Sequence, residues 1–150
     1  MKKKLFKSEK TIVYTDGGAR GNPGPSAIGV AIGNPSIALG AYREYGEYIG
    51  EKTNNQAEYE AVIFALKKLK ALVGKKKTKE TDVEVRMDSE LVVRQLGGIY
   101  KIEEPSLKPL FVDVWNLKMD FKKVEFVHIP REKNKAADRM VNKVLDSRMV

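Results

Sequence analysis

The sequence predicts an α/β domain on a five-stranded mixed sheet, with its elements in the order βββαβααβα. Three observations carry this expectation. Three β-branched or aromatic runs crowd the start of the chain, with connections too short for helices. At Asn55 the apolar period changes from two to between three and four. Beyond Gly74, short alternating runs and helical stripes take turns, which places later strands parallel to the first through right-handed crossovers.

The run Thr11-Ile12-Val13-Tyr14-Thr15 stops at Asp16-Gly17-Gly18 and reads as a strand entering a tight turn. Ser26 to Ile32 and Ile37 to Tyr45 are the second and third strands, divided by Gly33-Asn34-Pro35. The three make an antiparallel meander, so the first and third point the same way. A helix follows over 55–73, carrying Val62, Ile63, Leu66, Leu69 and Val73, with Thr53 and Gln56 spaced as a capping box and Gly74 as the stop. Val83, Val85 and Met87 alternate as strand four. Ser89 to Leu96 forms a short helix closed by Gly97-Gly98. A third helix aligns Leu107, Leu110, Phe111, Val114, Leu117 and Phe121, with Pro105 and Pro109 tolerated at its start and Trp115 read as a packing residue. Strand five spans 124–129. A last helix after Asn134, its expected N-cap, buries Ala137, Met140, Val141, Val144 and Leu145. Residues 1–10 read as a basic extension and 11–150 as one domain.

At 150 residues the chain can bury a core without staples, and it has no cysteine. Disulfide, thiolate and zinc-thiolate chemistry are therefore excluded, and with a single histidine, His128, so is a histidine-rich metal centre. No apolar run reaches the roughly 18 residues of a membrane span, so a soluble, cytoplasmic protein is expected. The net charge of +8, concentrated in the first ten residues and in Lys75-Lys76-Lys77, suits a polyanionic partner and equally suits solvated loops.

Topology points to the chemistry. Asp16 and Asp88 stand at the carboxyl ends of two strands, and Glu58 and Asp138 in the first turns of helices that begin at that same sheet edge. One acid in a first helical turn is ordinary, since it complements the helix dipole. Four from distant segments meeting at one rim need a cation. All-oxygen donors favour Mg²⁺, with Mn²⁺ as substitute, and two such ions suit in-line phosphodiester displacement.

The motifs Tyr14-Thr15-Asp16-Gly17-Gly18-Ala19-Arg20-Gly21-Asn22-Pro23-Gly24-Pro25, Thr53-Asn54-Asn55-Gln56-Ala57-Glu58, Met87-Asp88-Ser89 and Asn134-Lys135-Ala136-Ala137-Asp138 occur in the order that marks type-1 ribonucleases H, and the chain resembles that family from Thr11 to about Leu145. The resemblance implies a ribonuclease H-like fold and a metal-dependent endonuclease that cuts the RNA strand of RNA/DNA hybrids, leaving 5′-phosphate and 3′-hydroxyl ends. It implies that Asp16 bridges two ions, that Glu58 and Asp88 complete the leaving-group side, and that Asp138 holds the ion activating water. It further implies that Gly17, Asn22, Asn54 and Asn55 touch the minor groove, where 2′-hydroxyls distinguish RNA.

The chain departs from the family at three places. Glu90 replaces a neutral substrate-contacting glutamine common at that position. The stretch from Gly97 to Leu110 has no room for the basic helix and tryptophan-rich loop that some members use to grip DNA. His128 precedes Asp138 at the family's interval but falls on a strand, sharing a face with Val124 and Phe126, so its imidazole is expected to be packed. The short link Pro130-Arg131-Glu132-Lys133 instead puts Arg131 at the last helix, where a guanidinium stabilises phosphate charge, and Arg131 is expected to assist catalysis in the histidine's place. Rival readings are an inactive nucleic-acid-binding module, half of an actin-like phosphotransferase, and a nuclease of the same fold acting on double-stranded RNA or branched DNA. The intact acids oppose the first and the short chain the second. A monomer is expected.

Overall fold

The structure is a computed structural model that describes residues 10–33 and 42–148. Strands β1 (Thr11–Ala19), β2 (Gly24–Gly33) and β3 (Arg43–Lys52) form the meander, and helix α1 (Asn54–Val73) follows. A single helical turn at Lys75–Thr78 leads to β4 (Asp82–Met87) and then to α2 (Glu90–Leu96). A 3-10 turn at Pro105–Leu107 opens α3 (Lys108–Lys118), which precedes β5 (Lys123–His128). A second 3-10 turn at Arg131–Lys133 introduces α4 (Lys135–Arg148). The sheet runs β3-β2-β1-β4-β5, with β2 antiparallel to both neighbours and β1, β4 and β5 parallel, as expected.

Local chemistry sets the helix ends. The Thr53 hydroxyl accepts from the Gln56 amide at 3.1 Å while the Gln56 side chain accepts from the Thr53 amide at 2.9 Å, closing the capping box. Gly74, at φ 86°, ends α1. Gly17 and Gly29 place the two long helices. A Cβ at Gly17 would lie on the Ala57 carbonyl of α1, and one at Gly29, the β2 partner of Asp16, on the Ala137 carbonyl of α4. Asp16 and Gly17 are successive and face opposite sides, so α1 and α4 cover opposite faces of the sheet. The main core lies under α1 and α3, around Val13, Val30, Tyr59, Leu66, Val85 and Val114. A smaller one under α4 holds Ala27, Val141 and Leu145.

Several expectations change. β1 continues through Asp16-Gly17-Gly18 to Ala19, because β2 pairs with it along that whole length. The third strand is described over Arg43–Lys52, running seven residues past the expected end at Tyr45; residues 34–41, which carry the expected turn and strand start, lie outside the described residues. As an edge strand, β3 pairs on one side and buries little, so its polar, Tyr-rich sequence carries a weak apolar signal. Phe121 is buried, but beyond the end of α3. Trp115 is half-exposed at 50%, stacked on Phe111. Met140 and Val144 are half-buried, flanking Gly46 on the outer strand.

Candidate active site

β1 and β4 stay paired only as far as Tyr14 and Arg86. Asp16, on β1, and Asp88, just past the end of β4, each lie two residues beyond that pair, where the ladder ends and groups from both faces can meet. Glu58 arrives from α1 on one face and Asp138 from α4 on the other, each in a helix start that a glycine lets approach the sheet. Ligand oxygens of Asp16, Glu58 and Asp88 lie within 4.8 Å of one another. Asp138 lines the same cleft of about 330 Å³, within hydrogen-bonding reach of Asp16 and outside the group of three. All four sequence-expected acids therefore share one cleft.

Burial and mutual repulsion shape their protonation. Asp16 is 8% exposed; desolvation, then the charges of Asp88 and Asp138, push its carboxyl up to about 8, against the pull of the Gly17 amide. Glu58 is raised well above the ordinary carboxyl range, first by burial and then by Asp16 and Asp88. The Gly17 N–H donates to its Oε1 at 3.1 Å, and the charge of Arg131 also favours the carboxylate. Acids held this close and this dry, all with oxygen donors, fit a hard divalent cation. Arg131 itself is exposed and lines the cleft.

Neighbouring polar residues tie the cleft together. Asn54 Oδ1 accepts from the Ala19 amide at 2.9 Å and the Asn54 amide donates to Asn22 Oδ1 at 2.9 Å, clamping the β1–β2 connection onto α1. Asn55 lies one residue on, in the adjoining groove with Gln95 and Tyr100. Asn134 stands at the expected N-cap position, its carbonyl accepting from the Asp138 amide at 3.1 Å, while its side chain turns to the strands. Fully buried, its Nδ2 donates to the Thr15 carbonyl at 2.9 Å and to Asp88 Oδ2 at 3.1 Å, so it orients Asp88 from the start of α4. Its place in the fourth motif was the only signal of that role. Glu90 is held locally by Arg94 at 2.9 Å.

His128 is not packed. It is exposed, because burial fades along the outer strand β5 from Val124 through Phe126, and the cleft lining does not include it. Alternation gives the face of a side chain, while an edge strand's end leaves that face uncovered.

The profile of the reverse transcriptase-like family matches residues 14–144. LC11-RNase H1, isolated from compost and solved in complex with an RNA/DNA hybrid, is 51% identical, with a TM-score of 0.86 over 94% of this chain and 100% of that one. The chain belongs to the ribonuclease H1 family. Ribonuclease HI of Halobacterium salinarum is 41% identical over 133 residues, covering 89% of this chain and 63% of that protein. Bifunctional protein Rv2228c of Mycobacterium tuberculosis is 35% identical over 138 residues, 92% of this chain, which spans 36% of its length. Within ribonuclease H1 architecture, the four acids are thus on the sheet rim that the order of elements implies.

Proposed function

We propose that the protein is an endonuclease that hydrolyses the RNA strand of RNA/DNA hybrids with divalent cations, Mg²⁺ first and Mn²⁺ as substitute. The observation that carries this is the convergence of Asp16, Glu58, Asp88 and Asp138 from four segments on one cleft, in a chain half identical to an enzyme seen with a hybrid. Those four carboxylates would hold two ions, which when bound supply an activated water and neutralise charge on the scissile phosphate. The water oxygen bonds to phosphorus as the bond to the 3′ oxygen breaks, leaving 5′-phosphate and 3′-hydroxyl ends.

The chain's own groups then prepare the site. The Gly17 N–H and Asn134 Nδ2 fix one oxygen each of Glu58 and Asp88, and so aim the remaining lone pairs inward. Gly17, Asn22, Asn54 and Asn55 form the lip over which the minor groove would lie, its 2′-hydroxyls identifying the RNA strand. Arg131 offers a guanidinium to the phosphate. Among the described residues no helix is long and apolar enough to cross a membrane, and a cysteine-free, basic chain suits a cytoplasmic monomer acting on nucleic acid.

The test is cleavage of sequence-matched RNA/DNA, RNA/RNA and DNA/DNA duplexes with Mg²⁺, with ends mapped. Cutting confined to the RNA of the hybrid is expected. Equal cutting of RNA/RNA would shift the assignment to double-stranded RNA, and cutting that persists with the four acids mutated would discard the site.

A further inference from the structure

We propose that a second cavity, at the pole of the sheet remote from the acids, docks an acidic peptide segment of a partner protein that carries an apolar anchor residue. The cavity, about 650 Å³, lies where the end of α1, the turn at Lys75–Thr78 and the link from α3 to β5 meet. Its walls and floor differ in chemistry. Phe121, 6% exposed, Ala71 and the thioether of Met119, 64% exposed, make the apolar part. Lys70, Lys75, Lys79, Thr78 and Asp120 make the polar part.

The charge there is unbalanced. The cavity lining holds three lysines and one acid, Asp120, in a chain of net charge +8. Lys70 meets Asp120 at 2.6 Å, whereas Lys75 and Lys79 have no ion-pair partner among the described residues. Unpaired cations facing an apolar floor call for a ligand that is both anionic and apolar. A nucleic-acid backbone offers phosphates alone and would leave Met119 and Phe121 unmatched, while its convex surface suits an open track better than a cavity. Carboxylates flanking one aliphatic side chain satisfy both parts. Cavities of this size take such anchors, and an exposed methionine adapts its shape to them. Glu58 and Lys70 are separated by about 18 Å along α1, so a docked peptide leaves the acid cleft open. The surface would thus bring the nuclease to a partner without occupying its active site.

A fluorescein-labelled octapeptide with four aspartates and two leucines is the probe, measured by anisotropy against the whole protein. Saturable binding is expected, with peptide-induced amide shifts at Ala71, Thr78 and Phe121 and none at Gly17 or Asn54. Lys75→Glu combined with Lys79→Glu should weaken binding about tenfold, the scale of two modest ion pairs. Met119→Ser should weaken it as well. Both variants should keep their melting temperature and their turnover on saturating hybrid. Equal binding of the same peptide with serine in place of leucine overturns the proposal, because charge alone then suffices. So does tighter, competing binding of an oligothymidylate, which makes the surface a nucleic-acid track. Failure of the leucine peptide to bind at millimolar concentration overturns it too.

Discussion

A carboxyl buried beside two others is held there against its own charge, and this gives Asp16 and Glu58 measurable consequences without any ion. In an unfolded chain both titrate near pH 4. Folding moves Asp16 up to about 8 and Glu58 upward, so the folded state binds more protons. Their favourable contribution is complete below the unfolded value and is lost as pH rises toward 8. Urea unfolding in EDTA should therefore show declining stability over this range, and millimolar Mg²⁺ at the upper end should restore it. Asp88→Asn removes a charge that raises both groups, so this slope should flatten and the apo protein gain up to about 1 kcal/mol. Turnover should nonetheless fall about a thousandfold or more, roughly 4 kcal/mol in the barrier. Near-normal cleavage by a folded Asp88→Asn protein would remove the acids from the mechanism. Arg131 lines the cleft and favours ionised Glu58, whereas exposed His128 lies outside the lining. Arg131→Ala should lower kcat by about tenfold and His128→Ala by less, with no histidine limb in the pH profile. The reverse order in folded proteins would give the role back to His128.

Between single residues and the whole lies the seating of α1 on β1. Gly17 leaves no room for a Cβ beneath the Ala57 carbonyl, and its amide is the one that holds Glu58. Gly17→Ala must push the first turn of α1 off the strand. It should cost about 1 to 3 kcal/mol or more and weaken Mg²⁺ binding by calorimetry at the same time. Thr53→Ala, which removes half of the capping box, should cost about 1 kcal/mol while leaving metal affinity close to wild type. If both substitutions changed stability alone, the glycine would be a packing device with no part in the site. The capping box and the Gly74 stop were legible because each is a local exchange of hydrogen bonds among residues close in sequence. The true span of β3 was not legible, since its pairing partner, β2, supplies the order that its own polar residues do not specify.

For the molecule as a whole, the net charge of +8 meets an acid cleft, so cations and duplex phosphates approach a protein whose field is divided. Residues 1–9 lie outside the described residues, and their lysines are expected to add to association through their charge. Deleting Met1 to Lys7 removes four lysines and should reduce the slope of log hybrid affinity against log salt by about one to three, leaving kcat at saturation unchanged. An unaltered slope would show those lysines to be solvated bystanders and leave hybrid binding to the folded domain.

Read without coordinates, the chain already shows the class of fold, the parallel placement of β4 and β5 beside β1, and the meeting of four acids at one rim. All of these follow from element order and the handedness of crossovers, and four motifs located the acids within their elements. Tertiary structure alone decided how each acid is held. Asn134 reaches Asp88 across 46 positions and Thr15 across 119, and no periodicity encodes a hydrogen bond of that reach. It also decided that His128 is uncovered, because solvent exposure at the end of an outer strand depends on what packs over it and not on which way its side chain alternates.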